Sequence, residues 1–74
     1  VFTREDQPMQ WAFAENNIGD VHWNLAALGG GRSEYLKAID RFEAAKQAFG
    51  AAGHLAAVML AERKIGLIRE ALEE

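Results

Sequence analysis

Two glycine clusters, Gly29-Gly30-Gly31 and the pair Gly50 and Gly53, cut a chain of 74 residues into three segments, each with apolar residues at helical spacing. Glycine enters the left-handed conformation that closes a helix without a steric penalty, so both clusters read as helix ends. The first segment predicts a helix over about 8–28, with Trp11, Ala14, Ile18, Val21, Leu25 and Leu28 on one buried face. Asp6 is a good N-cap for it, and Pro8 is tolerated in the first turn because its missing N–H has no helical partner there. Ser33 can cap a second helix over about 33–49, whose buried stripe would be Tyr35, Ala38, Ile39, Phe42, Ala45 and Phe49. A third helix, about 54–72, would bury Leu55, Val58, Ala61, Ile65, Ile68 and Leu72. No stretch alternates apolar and polar residues for long enough to be a strand. Short turns make consecutive helices antiparallel neighbours. The expected fold is therefore all-α, an antiparallel helical hairpin plus a third helix, in a single domain over 1–74.

Two glycines stand inside these helices, where each costs roughly 1 kcal/mol relative to alanine. Close helix–helix approach is a good reason to accept that cost. Gly19, Gly66, Ala38, Phe42 and Ala45 are accordingly the expected helix-packing residues, with Gly19 set against the 38/45 face.

Composition narrows the function. A core of this size supplies only about 3–5 kcal/mol unless something staples it. There is no cysteine to do so. Half the residues are apolar and only one is proline, which argues against disorder. The net charge of −3 does not suit a nucleic-acid partner, which wants a basic face. The longest apolar run, Leu55 to Ala61, is far short of the roughly 20 residues that span a bilayer, so no membrane segment is expected. No secretory signal is visible, which points to a cytoplasmic protein. The chain starts with Val, and Glu73 and Glu74 oppose the helix dipole. The first reads as a piece of a longer protein, and the second as a helix end that frays or a chain that continues past it.

The segment Asn16-Asn17-Ile18-Gly19 is echoed by Lys64-Ile65-Gly66, an offset of 47 residues from Ile18 to Ile65. The same offset pairs Phe2 with Phe49, Ala14 with Ala61, Glu15 with Glu62 and Leu25 with Leu72, and conservatively Phe13 with Leu60 and Val21 with Ile68. Internal periods of this size mark stacked helical repeats. Ile18-Gly19, together with Ala38-x3-Phe42 and Ala45, resembles the tetratricopeptide repeat. Thr3-Arg4-Glu5, Pro8, Trp11-Ala12 and the Asn-Asn-Ile-Gly turn look like a long-period bacterial variant of it. The departures are Glu15, His22 and Gly50 where the pattern has a large aromatic, a tyrosine and a proline, and a Gly19-to-Ala38 gap about seven residues longer than in the common repeat. The resemblance implies a fragment of a right-handed solenoid, with Val1-Phe2 as the tail of a preceding repeat, 9–49 as one helix pair, and a third helix that starts the next repeat or caps the array.

It also implies that the first helix of a pair lines a concave groove. The groove positions are then Phe13, Asn16, Asn17, Asp20, Trp23 and Asn24, with Leu60, Arg63, Lys64, Leu67 and Glu70 on the third helix. The helical wheel independently sets Phe13, Asn16, Asp20, Trp23 and Asn24 away from the Ile18/Leu25 stripe. Asparagine both donates and accepts, so it can bind an extended peptide's backbone whatever the side chains, as the family uses it. Arg63 and Lys64 favour an acidic or carboxylate-terminated ligand. Trp11 reads as core. Trp23 either meets a partner or a neighbouring repeat, or folds over Met9 and Ala27. His22 reads as filling an aromatic packing slot, and Glu15 could pair with it or with Arg41. His22 and Glu15 are two turns apart, too far for one metal ion, and His54 has no second ligand nearby in sequence. Gly29-Gly30-Gly31 follows a helix rather than a strand, so it is no phosphate loop. Arg41, Glu43 and Lys46 form an ordinary solvated face. The expected function is a non-catalytic module that binds a protein or peptide partner, without metal or cofactor. A homodimerising domain and a regulatory appendage of a larger enzyme or signalling protein are the alternatives.

Overall fold

The computed structural model describes residues 8–73. The proposed Asp6 cap, the segment 1–5 and Glu74 lie outside them. The described residues form three helices, α1 (Pro8–Leu25), α2 (Arg32–Ala51) and α3 (Leu55–Glu73).

The first glycine cluster does what its composition requires, with a shift in bounds. α1 stops at Leu25 and the chain turns through Ala26–Gly30, where Gly29 has φ 119°. Gly31 follows at φ 76°, also in the region that favours glycine. Leu28, expected on the buried stripe, is left 85% exposed on this turn. Ser33 is not a cap. It lies inside α2, whose N-cap position is Gly31, with no side-chain cap bond. Glu34 in the first turn complements the dipole instead. At the second turn Gly50 remains helical, and Gly53 alone turns left-handed at φ 78°. Its N–H donates to Gly50 O, and His54 N–H donates to Phe49 O, the paired bonds of a glycine-terminated helix. His54 then begins the next helix, its Nδ1 accepting the Ala57 N–H at 3.3 Å.

α2 is the shared wall. α1 and α3 each pack along it in the antiparallel sense. At one end Ala12, Ala45, Ala48, Phe49 and Ala57 form a core cluster, with Trp11 packed against it as expected. At the other end Ala38, Phe42, Ile65 and Ile68 form a second cluster, flanked by Trp23, Tyr35, Ile39 and Leu72. The stripe expected of α2 is therefore the one it buries. On α3, Ala61, Ile65 and Ile68 are buried as expected, but Leu55 is 71% exposed and Ala57 takes the inward position. The His54 cap starts the helix in a phase that points Ala57 and Ala61 at α2.

α1 is the larger departure. It packs on α2 through Ala12, Glu15 and Gly19, and Ala26 just beyond its end is buried too, while Ile18, Val21 and Leu25 are exposed, Val21 by 55%. Both faces of α1 carry apolar residues, and the face with the smaller ones lets the backbones approach. A Cβ built on Gly19 would lie 2.8 Å from the Phe42 ring. Gly19 thus meets Phe42, between the buried Ala38 and Ala45. The half-buried pairing on this face is Glu15 with Arg41, whose Nη1 donates to both carboxylate oxygens at 3.2 and 2.9 Å. Gly66 is not a packing residue within the chain. It is exposed, and nothing lies within 4 Å of where its Cβ would be. The two glycines of the internal repeat therefore occupy inequivalent places among the described residues.

That inequivalence gives opposite expectations for one substitution. Gly19→Ala should destabilise by about 1–3 kcal/mol, because the fully buried Phe42 must move. Gly66→Ala should be neutral or stabilise by up to about 1 kcal/mol through helix propensity alone. Urea denaturation of the two variants beside the parent chain checks both signs.

Candidate functional site

α1 and α3 each rest on α2 and are joined to each other by few groups. Lys64 Nζ donates to Asp20 at 3.1 Å, linking the two helices across 44 residues of chain. The same ammonium stands 5.2 Å from the Phe42 ring centroid, so an aromatic face as well as a carboxylate holds it. Below this link Phe13, Asn16, Phe49, Ala57, Leu60 and Lys64 line a crevice of about 60 Å³. That is room for a few waters. A wider open cleft of about 520 Å³ lies by Ala56, Met59, Leu60 and Arg63.

The residues expected to form a groove fall into three groups. Asn17, Asn24, Leu60, Arg63 and Leu67 are exposed. Asn16, Asp20 and Lys64 are half-buried, the last two in the ion pair. Phe13 is half exposed, but its ring packs edge-on to Phe49 at 5.0 Å and also approaches His54 at 6.4 Å. Trp23 departs from expectation. It sets its ring edge-on to Phe42 at 6.1 Å, at the margin of the second core cluster, whereas Met9 packs on the first. Glu70 is exposed.

A second, larger cleft of about 620 Å³ opens on the other side of the α1–α2 pair, lined by Trp11, Glu15, His22, Lys37, Asp40 and Arg41 among others. Sequence reasoning did not anticipate it. Its walls belong to two helices separated by the glycine turn, and only the Glu15–Arg41 alternative hinted at it. His22 does not fill an aromatic slot here. Its Nδ1–H donates to Glu34 Oε2 at 2.6 Å, and Lys37 donates to the other carboxylate oxygen at 3.2 Å. These bonds, the histidine's first and the lysine's second, hold the Glu34 carboxyl below its ordinary value. No group of three or more His, Cys, Asp or Glu able to hold a metal ion occurs among the described residues. Nor is any described helix long and apolar enough to cross a membrane. Comparison with protein-family models, curated proteins and solved structures gives no significant match.

The Glu34 contacts predict an acid-sensitive contribution to folding. A carboxyl whose folded-state pKa is depressed stabilises the fold fully above its ordinary value of 4.5, and loses that contribution as pH falls through the lower folded-state value. Denaturation midpoints followed downward from about pH 6 should therefore fall more steeply below pH 4.5 for the parent chain than for Glu34→Gln. Parallel curves would mean that the His22–Glu34 contact carries no net stability.

Proposed function

We propose that the chain is a non-catalytic helical-repeat module of tetratricopeptide type, which holds an extended peptide or a segment of a partner protein on the surface shared by α1 and α3. The observation that carries this reading is the Asp20–Lys64 ion pair. It links the two helices beside the crevice that Asn16 and Leu60 line, and in this reading Asn17, Arg63 and Leu67 extend that surface. The close contact of Gly19 with Phe42, between buried Ala38 and Ala45, supports the repeat-type helix pair. Lys64 is neutralised within the surface, while Arg63, like Arg32 and Lys46 on α2, makes no ion pair among the described residues. An acidic peptide with a free C-terminal carboxylate suits that arrangement. Asn17 serves its backbone, since an amide donates and accepts together.

Self-association is the second reading, and one observation favours it. Ile18, Val21 and Leu25 form an outward apolar stripe along α1. Measuring molar mass over a concentration range separates it from a free monomer.

A titration of the 15N-labelled chain with acidic peptides bearing a free carboxylate tests the first reading. Amide shifts should concentrate at Asn16, Asn17, Leu60, Arg63 and Leu67. Asn17→Ala combined with Arg63→Glu should weaken binding by about tenfold or more, a loss of about 1.4 kcal/mol. Shifts confined to the 620 Å³ cleft by Trp11 and His22 would reject the groove.

A further inference from the structure

The packing of α1 on α2 gives the 47-residue internal match a second meaning. α1 receives α2 through four residues one turn apart: Ala12 packs with Ala45 and Ala48, Glu15 accepts from Arg41, Gly19 lies against Phe42, and His22 donates to Glu34. The same offset marks Met59, Glu62, Gly66 and Arg69 on α3. Acid falls on acid, glycine on glycine and base on base. All four are exposed. Met59 is 69% accessible, Gly66 faces open space, and Glu62 has no ionic partner among the described residues. Arg69 reaches only Glu43, in a surface pair that is itself more than 40% accessible on both sides.

α3 packs on α2 with a different face. Its inward residues Ile65, Ile68 and Leu72 correspond to Ile18, Val21 and Leu25, the outward stripe of α1. The two helices thus carry the same pair of faces and present opposite ones to α2. α2, held between them, cannot also cover the free face of α3. An interior glycine costs roughly 1 kcal/mol, and at position 66 no contact within the described residues explains it.

We propose that the face of α3 formed by Met59, Glu62, Gly66 and Arg69 docks an amphipathic helix with the pattern of α2, antiparallel to α3. The incoming helix has an aromatic residue to lie over Gly66 and an arginine directly before it to pair with Glu62. It has an acid eight residues before the aromatic, as Glu34 stands to Phe42, to pair with Arg69. Charge complementarity selects it: the acid and the base that hold α2 on α1 recur on α3 at the same spacing, seven residues apart. The inference rests on the observed α1–α2 packing and not on the peptide surface proposed above.

The α2 sequence itself is the probe. A fluorescent peptide of residues 31–52, held helical by a staple joining the exposed positions 36 and 40, is titrated into the full chain and followed by anisotropy. Saturable binding is expected, weakened about tenfold or more by Gly66→Leu, which fills open space and should leave the chain at least as stable to heat as the parent. Glu62→Arg should weaken binding of the unmodified peptide and restore it for the peptide carrying Arg41→Glu. Absence of saturable binding, binding indifferent to Gly66→Leu, or failure of the charge exchange to recover affinity would each overturn the proposal. If Gly66→Leu disturbs the fold, the charge exchange decides alone.

Discussion

The contact of Gly19 with Phe42 is the constraint on which the arrangement depends. An aromatic ring can lie on a helix backbone only where no Cβ intervenes, and along α1 only position 19 offers that. Once the ring is seated, the rotation of α1 is settled. Ala12 and Ala26 turn inward because they share its face, and Glu15 is carried to within hydrogen-bonding reach of Arg41. The same rotation turns the bulkier Ile18, Val21 and Leu25 away from α2. Burying a carboxylate is costly unless a partner meets it. The two-oxygen contact with one guanidinium nitrogen supplies that partner, and no buried side-chain polar atom is left unsatisfied among the described residues.

Placing α2 between two helices gives a slab of 37 × 24 × 12 Å. A layer this thin has little interior, and large apolar side chains remain at its surface on both outer helices. The core is made of small residues and a few large ones, with Phe42, Phe49 and Ile68 the largest that are wholly enclosed. Its hollows are accordingly surface clefts, the crevice between α1 and α3 of about 60 Å³ and the open cleft beside Trp11 and His22 of about 620 Å³ among them.

The helix count and turns were legible because glycine and apolar spacing act locally. The buried stripe of α2 was legible too, since a helix covered on two sides needs a broad apolar face and shows it in its sequence. The facing of α1 was not. Its periodicity is satisfied equally by the Ile18 stripe and by the Ala12–Gly19 face, and side-chain size pointed to the wrong one. Backbone proximity decided the matter, and the glycine that signalled it had been read correctly as a packing residue without being used to turn the helix. Gly66 shows the converse. The same local signal stands there with no neighbour among the described residues, so a glycine in a helix does not by itself fix a packing contact. Trp23 was misplaced because its partner, Phe42, comes from the next helix, and His22 because Glu34 reaches it only after the chain has reversed. The Asp20–Lys64 link joins positions that were both assigned to one groove, though not as partners.

The central position of α2 also bears on how the molecule comes apart. α1 and α3 each rest on α2 over their length but touch each other through few groups, chiefly Asp20–Lys64 and the approach of Phe13 to His54. Either outer helix can then detach while the other stays docked, so opening proceeds in partial units rather than as one event. Amide exchange would be slowest in the middle of α2, which is protected in both partly open forms. The exchange pattern would therefore be ordered by position across the slab and not by distance along the chain.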